Sequence, residues 1–414
     1  MSIPTPTNVP AVAGGAPIFP EGLPLSRPSI ADPKTVGRDV EAIVRSGLLT
    51  NGPFVRRLEA RAAEYLGVRH CVAVSSCTSG LMLVLRAAEL TGEVIVPSFT
   101  FAATAHAVDW NGLRPVFADV DADTLTLSAA AVQEAVGMRT SAILGTHTYG
   151  TPCDVEGIVA VAEEHGLRPF FDAAHAFGSS HRGRMVGSFG DAEVFSLSPS
   201  KVLVAGEGGI IATDDDLLAE RCRIGRDYGN PGDYDCRFVG LNARMSELHA
   251  ATALASFDDL DDRLRERNRL AALYRDSLVS VSGVSFPIVP DDDRSTYKDL
   301  TVLIDQEGFG TSARAVAEAL GAEGIDTRRY YDPPVHRMRA YRGRTRVAGE
   351  LHATGRAAER VLSLPLWTGM SDQQVWGVAE ALDRLSRWMA TDPLRRGYAG
   401  NIRAAAHGRT EPAT

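Results

Sequence analysis

The sequence predicts an α/β protein: a large domain built on a mostly parallel, doubly wound sheet of seven strands, followed by a smaller C-terminal α/β domain. Two observations carry this. Seven short runs are apolar on successive residues, as strands buried on both faces are, and they alternate with segments of helical period. After Gly240 the alternation gives way to a long helical stretch whose second half is heavily charged, which reads as the passage into another domain.

The strands are CVAV at Cys71, EVIVPS at Glu93, RPVFADV at Arg114, SAILGTH at Ser141, RPFFDAA at Arg168, AEVFSLS at Ala192 and GGIIAT at Gly208. Between them SGLMLVLRAAEL, TFAATAHAVDW, SAAAVQEAV and DVEGIVAVAEEHGL place apolar residues at i, i+3 and i+4, with Ser79, Ser128 and Asp154 as N-caps. The smaller domain is expected to hold the strand DLTVLID, the helix SARAVAEALGAEGI, a strand around DTRRYY, and helices near AGELHATGRAAERVL and SDQQVWGVAEALDRL. The expected division is an N-terminal arm over 1–27, the large domain over 28–262, the small one over 263–390 and a flexible tail over 391–414. Both ends are rich in Pro, Gly, Ala or polar residues and read as arms rather than core.

With 44% hydrophobic and 23% charged residues in 414, the composition is that of an ordinary soluble globular protein. A net charge of -9 argues against a broad nucleic-acid-binding surface, so any anion site must be local. The five cysteines are an odd number with no CxxC pair, which fits a reducing cytoplasm better than a disulfide framework or a zinc site. No apolar run is long enough to span a bilayer, and a cytoplasmic location is expected. GFGTSA at Gly308 loosely matches a dinucleotide fingerprint but lacks a βαβ unit around it, and reads as a turn and cap.

In such a sheet, ligands sit beyond the carboxyl ends of the strands. Asp172 ends the strand RPFFD, His175 follows it, and Lys201 follows FSLSPS about thirty residues later. Taken singly, these are a strand-end cap, a satisfied buried histidine and a surface lysine. Together they suggest pyridoxal phosphate, which needs a lysine for covalent attachment, an anion for its ring nitrogen and a phosphate cradle. Ser76, Thr78 and Ser79, before and at the start of a helix, supply a candidate cradle, or no more than a helix cap.

The runs SFTFAATAHAV, FFDAAHAFG, GRMVGSFGDAEVFSLSPSK and GLNARMSELHAA, in this order, resemble the DegT/DnrJ/EryC1/StrS sugar aminotransferases from about Gly47 to about Leu385. The resemblance implies the aspartate-aminotransferase fold (PLP fold type I) and pyridoxal 5′-phosphate as cofactor. It implies Lys201 as the covalent anchor and proton carrier, Asp172 as partner of the ring nitrogen, and His175 on the ring hydroxyl. Ser196, Thr78 and Ser79 then hold the phosphate, Phe101 stacks on the ring, and Asn242 with Arg244 reaches the cofactor of the neighbouring subunit in a homodimer.

The cradle departs from the common SGTSAL: this chain has SCTSGL, so Cys77 is expected to alter the turn. The loop KVLVAGEGG is a residue shorter than the common form. Together with LTGEVIVPS, FFDAAHA and GDAEVFS, it resembles members that aminate carbon 4 of a nucleotide-linked 4-keto-6-deoxyhexose with L-glutamate as donor, releasing 2-oxoglutarate. Amination at carbon 3, or of a keto-cyclitol, is the alternative. Carbon-3 dehydration is weighed against by Lys201, since the relatives that perform it carry histidine there. A non-catalytic nucleotide-sugar binder is the reading from another class. Arg328, Arg329, Tyr330 and His336 are candidates for the substrate side.

Overall fold

The computed structural model describes residues 9–29 and 32–391. All seven apolar runs are strands: β1 His70–Val74, β2 Glu93–Pro97, β3 Arg114–Ala118, β4 Thr140–Thr146, β5 Arg168–Asp172, β6 Ala192–Ser196 and β7 Gly209–Thr213. They lie side by side in the order β1-β7-β6-β5-β4-β2-β3, and a two-residue strand from the C-terminal third, Arg346–Val347, extends the β3 edge. Only β7 runs antiparallel to its neighbours, so β1 to β6 open at the same edge.

Alternation within each strand feeds two cores. Ala73, Ile95, Val116, Ile143, Phe171 and Phe195 face a layer that includes Leu58, Leu66 and Ile158. Their neighbours Val72, Val94, Phe117, Leu144, Phe170 and Val194 face Leu81, Leu85 and Val108. Uninterrupted apolar runs are what such two-sided burial requires.

Ser128 and Asp154 cap the helices Ala129–Ala135 and Val155–His165 as anticipated. Ser79 does not cap its helix. Cys77–Ala87 starts earlier: Ser76 is the N-cap, and Ser79 closes a reciprocal capping box from the third helical position. The long stretch after Gly240 breaks into Glu247–Phe257 and Leu260–Leu278. The second of these joins the first of those cores, where Leu260 and Leu264 are buried, to a third in the C-terminal part, where Leu270, Tyr274 and Leu278 are buried.

In the C-terminal part, Val284–Ser285, Leu300–Ile304 and Val361–Leu364 form an antiparallel sheet packed with the helices Ala313–Ala322 and Asp372–Ala390. The strand expected around DTRRYY is absent. Arg328 makes a lone bridge to Ser363, and Pro333 and Pro334, which lack an N–H, leave that segment to run as irregular chain. The strand here is Val361–Leu364, whose first residues read from sequence as the end of a helix. The helix stops at Arg360, and its apolar continuation pairs with Leu300–Ile304.

Part of the N-terminal arm belongs to this third core. Leu23 is buried there, bridges Ile325 and donates from its amide to Gly324 O, while Phe19 packs close to Gly377. The tail beyond Thr391 lies outside the described residues.

Glu247 ties two helices together. Its buried carboxylate accepts from the amides of Gly52, Phe54 and Val55, each at 2.9 Å, at the start of the helix Pro53–Leu66. A Cβ on Gly52 would fall 2.6 Å from that carboxylate. Glu247→Ala strands three amides and is expected to cost about 3 kcal/mol, read as a lower urea midpoint at unchanged slope.

Candidate active site

The carboxyl edge of the sheet gathers six of the nine predicted residues around one cavity of about 310 Å³. Thr78 arrives after β1, Phe101 after β2, Asp172 and His175 at and after β5, and Ser196 and Lys201 at and after β6. From the C-terminal part come Lys298, Asp299, Tyr330 and Tyr331.

Asp172 is buried at the floor. Its Oδ2 accepts from Thr104 Oγ1 at 2.7 Å and its Oδ1 from the Ala174 amide at 3.1 Å. Burial raises its pKa above the ordinary carboxylate value, because those donors are neutral and do not make up for lost water. A cationic N–H at this spot would satisfy it.

Lys201 shows the opposite displacement for the same reason. Burial, assisted by the positive charge of Lys298, lowers its pKa from 10.5 to about 8. His175 is held well below its usual value by burial and then by the charges of Lys201 and Lys298, so the imidazole is neutral. Its Nδ1 is buried with no hydrogen-bond partner.

Phe101 is 62% exposed at the cavity wall, where its ring is free to lie against a bound ligand. Thr78 sits in the first turn of the helix Cys77–Ala87, where unpaired amides attract an anion, and Ser196 faces the same side.

Three predicted residues do not line this cavity. Ser79 is occupied by the capping box, its hydroxyl donating to Ser76 O at 2.8 Å. Asn242 is exposed and pairs with Asp227. Arg244 hydrogen-bonds Asp227 and lies over the Tyr228 ring. Neither of the last two is turned to the cavity of its own chain.

Among the substrate-side candidates, Tyr330 lines the cavity, but Arg328 pairs with Asp326, Arg329 with Asp332, and His336 with Ser98 at 2.6 Å. The expected disturbance by Cys77 does not occur. The capping box is complete, Cys77 has no positive φ, and its sulfur lies 3.5 Å from Val194 O and 4.0 Å from Asp172 Oδ1.

Sequence reasoning missed Thr104, Lys298, Asp299 and Tyr331. Thr104 sits inside an apolar helical pattern, and a Lys-Asp dipeptide ahead of a strand reads as a solvated turn. No local signal distinguishes them.

Residues 32–383 match the DegT/DnrJ/EryC1/StrS aminotransferase family. The chain belongs to this family. It is 39% identical to the UDP-N-acetyl-3-dehydro-α-D-glucosamine 3-aminotransferase of Acidithiobacillus ferrooxidans, over 80% of this chain and 88% of that protein. It is 32% identical to the dTDP-4-amino-4,6-dideoxy-D-glucose transaminase of Escherichia coli, over 87% of this chain and 98% of that one. The solved structure of DesI in the presence of its TDP-sugar product superposes with a TM-score of 0.88 at 41% identity, covering 93% of this chain and 98% of that chain.

The protein is thus a sugar aminotransferase of PLP fold type I, and its cofactor is pyridoxal 5′-phosphate. The cavity suits that molecule group by group. The orphaned His175 Nδ1 can accept from the ring hydroxyl, the buried Asp172 can meet a protonated ring nitrogen, the depressed Lys201 amine can attack the aldehyde, and the helix N-terminus can take the phosphate. Only a neutral amine attacks. Capture of pyridoxal phosphate by the cofactor-free protein should therefore rise about tenfold per pH unit up to about pH 8 and level off above it. Stopped-flow absorbance measures this, and a flat profile from about pH 6 to 9 would contradict it.

Proposed function

We propose that the protein transfers the amino group of L-glutamate to the C4 ketone of a dTDP-4-keto-6-deoxyhexose, giving a dTDP-4-amino-4,6-dideoxyglucose-type product and 2-oxoglutarate. What supports this reading is the 32% identity to the dTDP-4-amino-4,6-dideoxy-D-glucose transaminase over 98% of that protein, beside the match to DesI with its TDP-sugar product over nearly the whole of that chain. The short loop KVLVAGEGG after β6 points the same way.

When bound, the cofactor supplies an electron sink at the carbon bearing the transferred amine. In this reading the chain's own residues do the rest. Lys201 Nζ, neutral at that step, takes the α-proton of glutamate and later delivers a proton to the sugar carbon. Asp172 would keep the ring nitrogen protonated, His175 would pair with the ring hydroxyl, and Phe101 would lie against the ring. Thr78 and Ser196 bind the phosphate, with Ser79 bracing the turn beneath them.

Asn242 and Arg244, which do not line their own cavity, in this reading reach the cofactor phosphate of a partner subunit, so the active unit is a homodimer with two shared sites. The setting we propose is cytoplasmic deoxyaminosugar biosynthesis of the kind that serves antibiotics. No helix among the described residues is long and apolar enough to cross a membrane.

Carbon-3 amination is the second reading, favoured by the 39% identity to a 3-aminotransferase. Incubation with pyridoxal phosphate, L-glutamate and a panel of 3-keto and 4-keto nucleotide sugars, with NMR of the products, separates the two. Amine on C4 is expected, and amine only on C3 overturns the proposal.

A further inference from the structure

Lys298 and Asp299 take no part in the scheme above, yet both line the cavity that holds Lys201. Their side chains are only 9% and 5% exposed, and Lys298 Nζ lies 2.8 Å from Asp299 Oδ1. Asp299 Oδ2 is buried and has no hydrogen-bond partner. Native structures rarely strand a buried carboxylate oxygen in this way unless something absent from the structure uses it.

The pair is held rigidly. Arg267, from the helix Leu260–Leu278, donates to the backbone oxygens of Thr296, Tyr297 and Lys298. The Lys298 amide donates to Tyr149 O at 2.9 Å. A group positioned this firmly at a ligand cavity is suited to reading the ligand's shape.

The chemistry narrows the ligand. A carboxylate oxygen only accepts, so its partner must donate. The cofactor phosphate, the nucleotide diphosphate and the carboxylates of glutamate are anionic acceptors and cannot fill the position. An ammonium would gain little from a carboxylate whose charge Lys298 already offsets. A neutral hydroxyl remains, and the ketosugar is the reactant that brings hydroxyls. Because Asp299 lines the same cavity as Lys201, whose amine does the proton transfer, the hydroxyl is one close to the carbonyl.

We propose that Asp299, held in place by Lys298, recognises the ketosugar by accepting on Oδ2 a hydrogen bond from the hydroxyl on the carbon next to the reacting carbonyl. This rests on the ketosugar reading above. It makes Asp299 a specificity residue for the second half-reaction, because a site built to bond a hydroxyl rejects the analogue lacking it.

The test compares the loaded wild-type enzyme with Asp299→Asn and with the double variant Lys298→Met/Asp299→Leu, which removes both charges and so avoids a buried unpaired lysine. Stopped-flow absorbance follows the glutamate and ketosugar half-reactions separately. Calorimetry measures binding of dTDP-4-amino-4,6-dideoxyglucose, and of its analogue lacking the neighbouring hydroxyl, to the pyridoxamine form, in which no transfer takes place.

In Asp299→Asn the sugar half-reaction should lose about 100-fold in kcat/KM, the glutamate half-reaction less than about 10-fold, and the product Kd should weaken. In the double variant the preference for the hydroxyl-bearing ligand should collapse towards unity. Equal losses in both half-reactions, an unchanged product Kd or undiminished discrimination overturns the inference. If the wild type aminates the ketosugar and the variants match it, the inference alone fails. If the wild type aminates no nucleotide-linked ketosugar, the functional reading fails and the inference falls with it.

Discussion

Lys201→Ala is expected to abolish turnover and the visible absorbance of the cofactor-bound protein while leaving the fold intact. The other lysine of the cavity, Lys298, is bound to Asp299 at 2.8 Å and is not free to substitute. Loss of a proton-transferring base typically costs about 10²–10⁴ in rate, and here the covalent anchor is lost with it. Folding should not suffer. Since burial lowers the lysine's pKa from 10.5 to about 8, the unfolded chain binds more protons between those values. The stability of the cofactor-free wild type therefore rises with pH through that window, and below it the folded state carries the charge at a cost. At neutral pH the alanine variant escapes that cost, so its melting temperature should equal or exceed the wild type's. Near-normal turnover would sink the assignment of Lys201.

Asp172→Asn is expected to keep the fold and lose most of the rate. The amide is isosteric, and its oxygen can still accept from Thr104 or the Ala174 amide. It cannot offset a cation on the ring nitrogen. Breaking a buried charge pair typically costs about 3–5 kcal/mol, or about two to four orders of magnitude in rate. Steady-state turnover beside a circular dichroism melt checks both halves of this expectation, and a variant within about tenfold of wild type would contradict the role.

The two predictions rest on parts of the molecule that were unequally legible in the sequence. Asp172 ends one apolar strand of the sheet and Lys201 follows another, and strand direction alone sends such residues to the ligand edge. Ser76 and Ser79 show the limit of that reasoning. Both can cap a helix, and only the hydrogen bonds of the reciprocal box decide that Ser76 does so and that Ser79 is turned inward to it. DTRRYY reads as a strand from sequence, but the prolines that follow it and the place of Tyr330 and Tyr331 at the cavity override that local preference.

What the sequence by itself determined is the sheet with its two buried faces, the order of elements and the residues at its carboxyl edge, because burial pattern and strand direction are local properties of the chain. Only the tertiary structure decided that Thr104 supports Asp172, that Lys298 and Asp299 enter from the C-terminal part, and that Asn242 and Arg244 do not line the cavity of their own chain. Those contacts join residues separated by dozens to hundreds of positions, and nothing in the local pattern of either partner records the other.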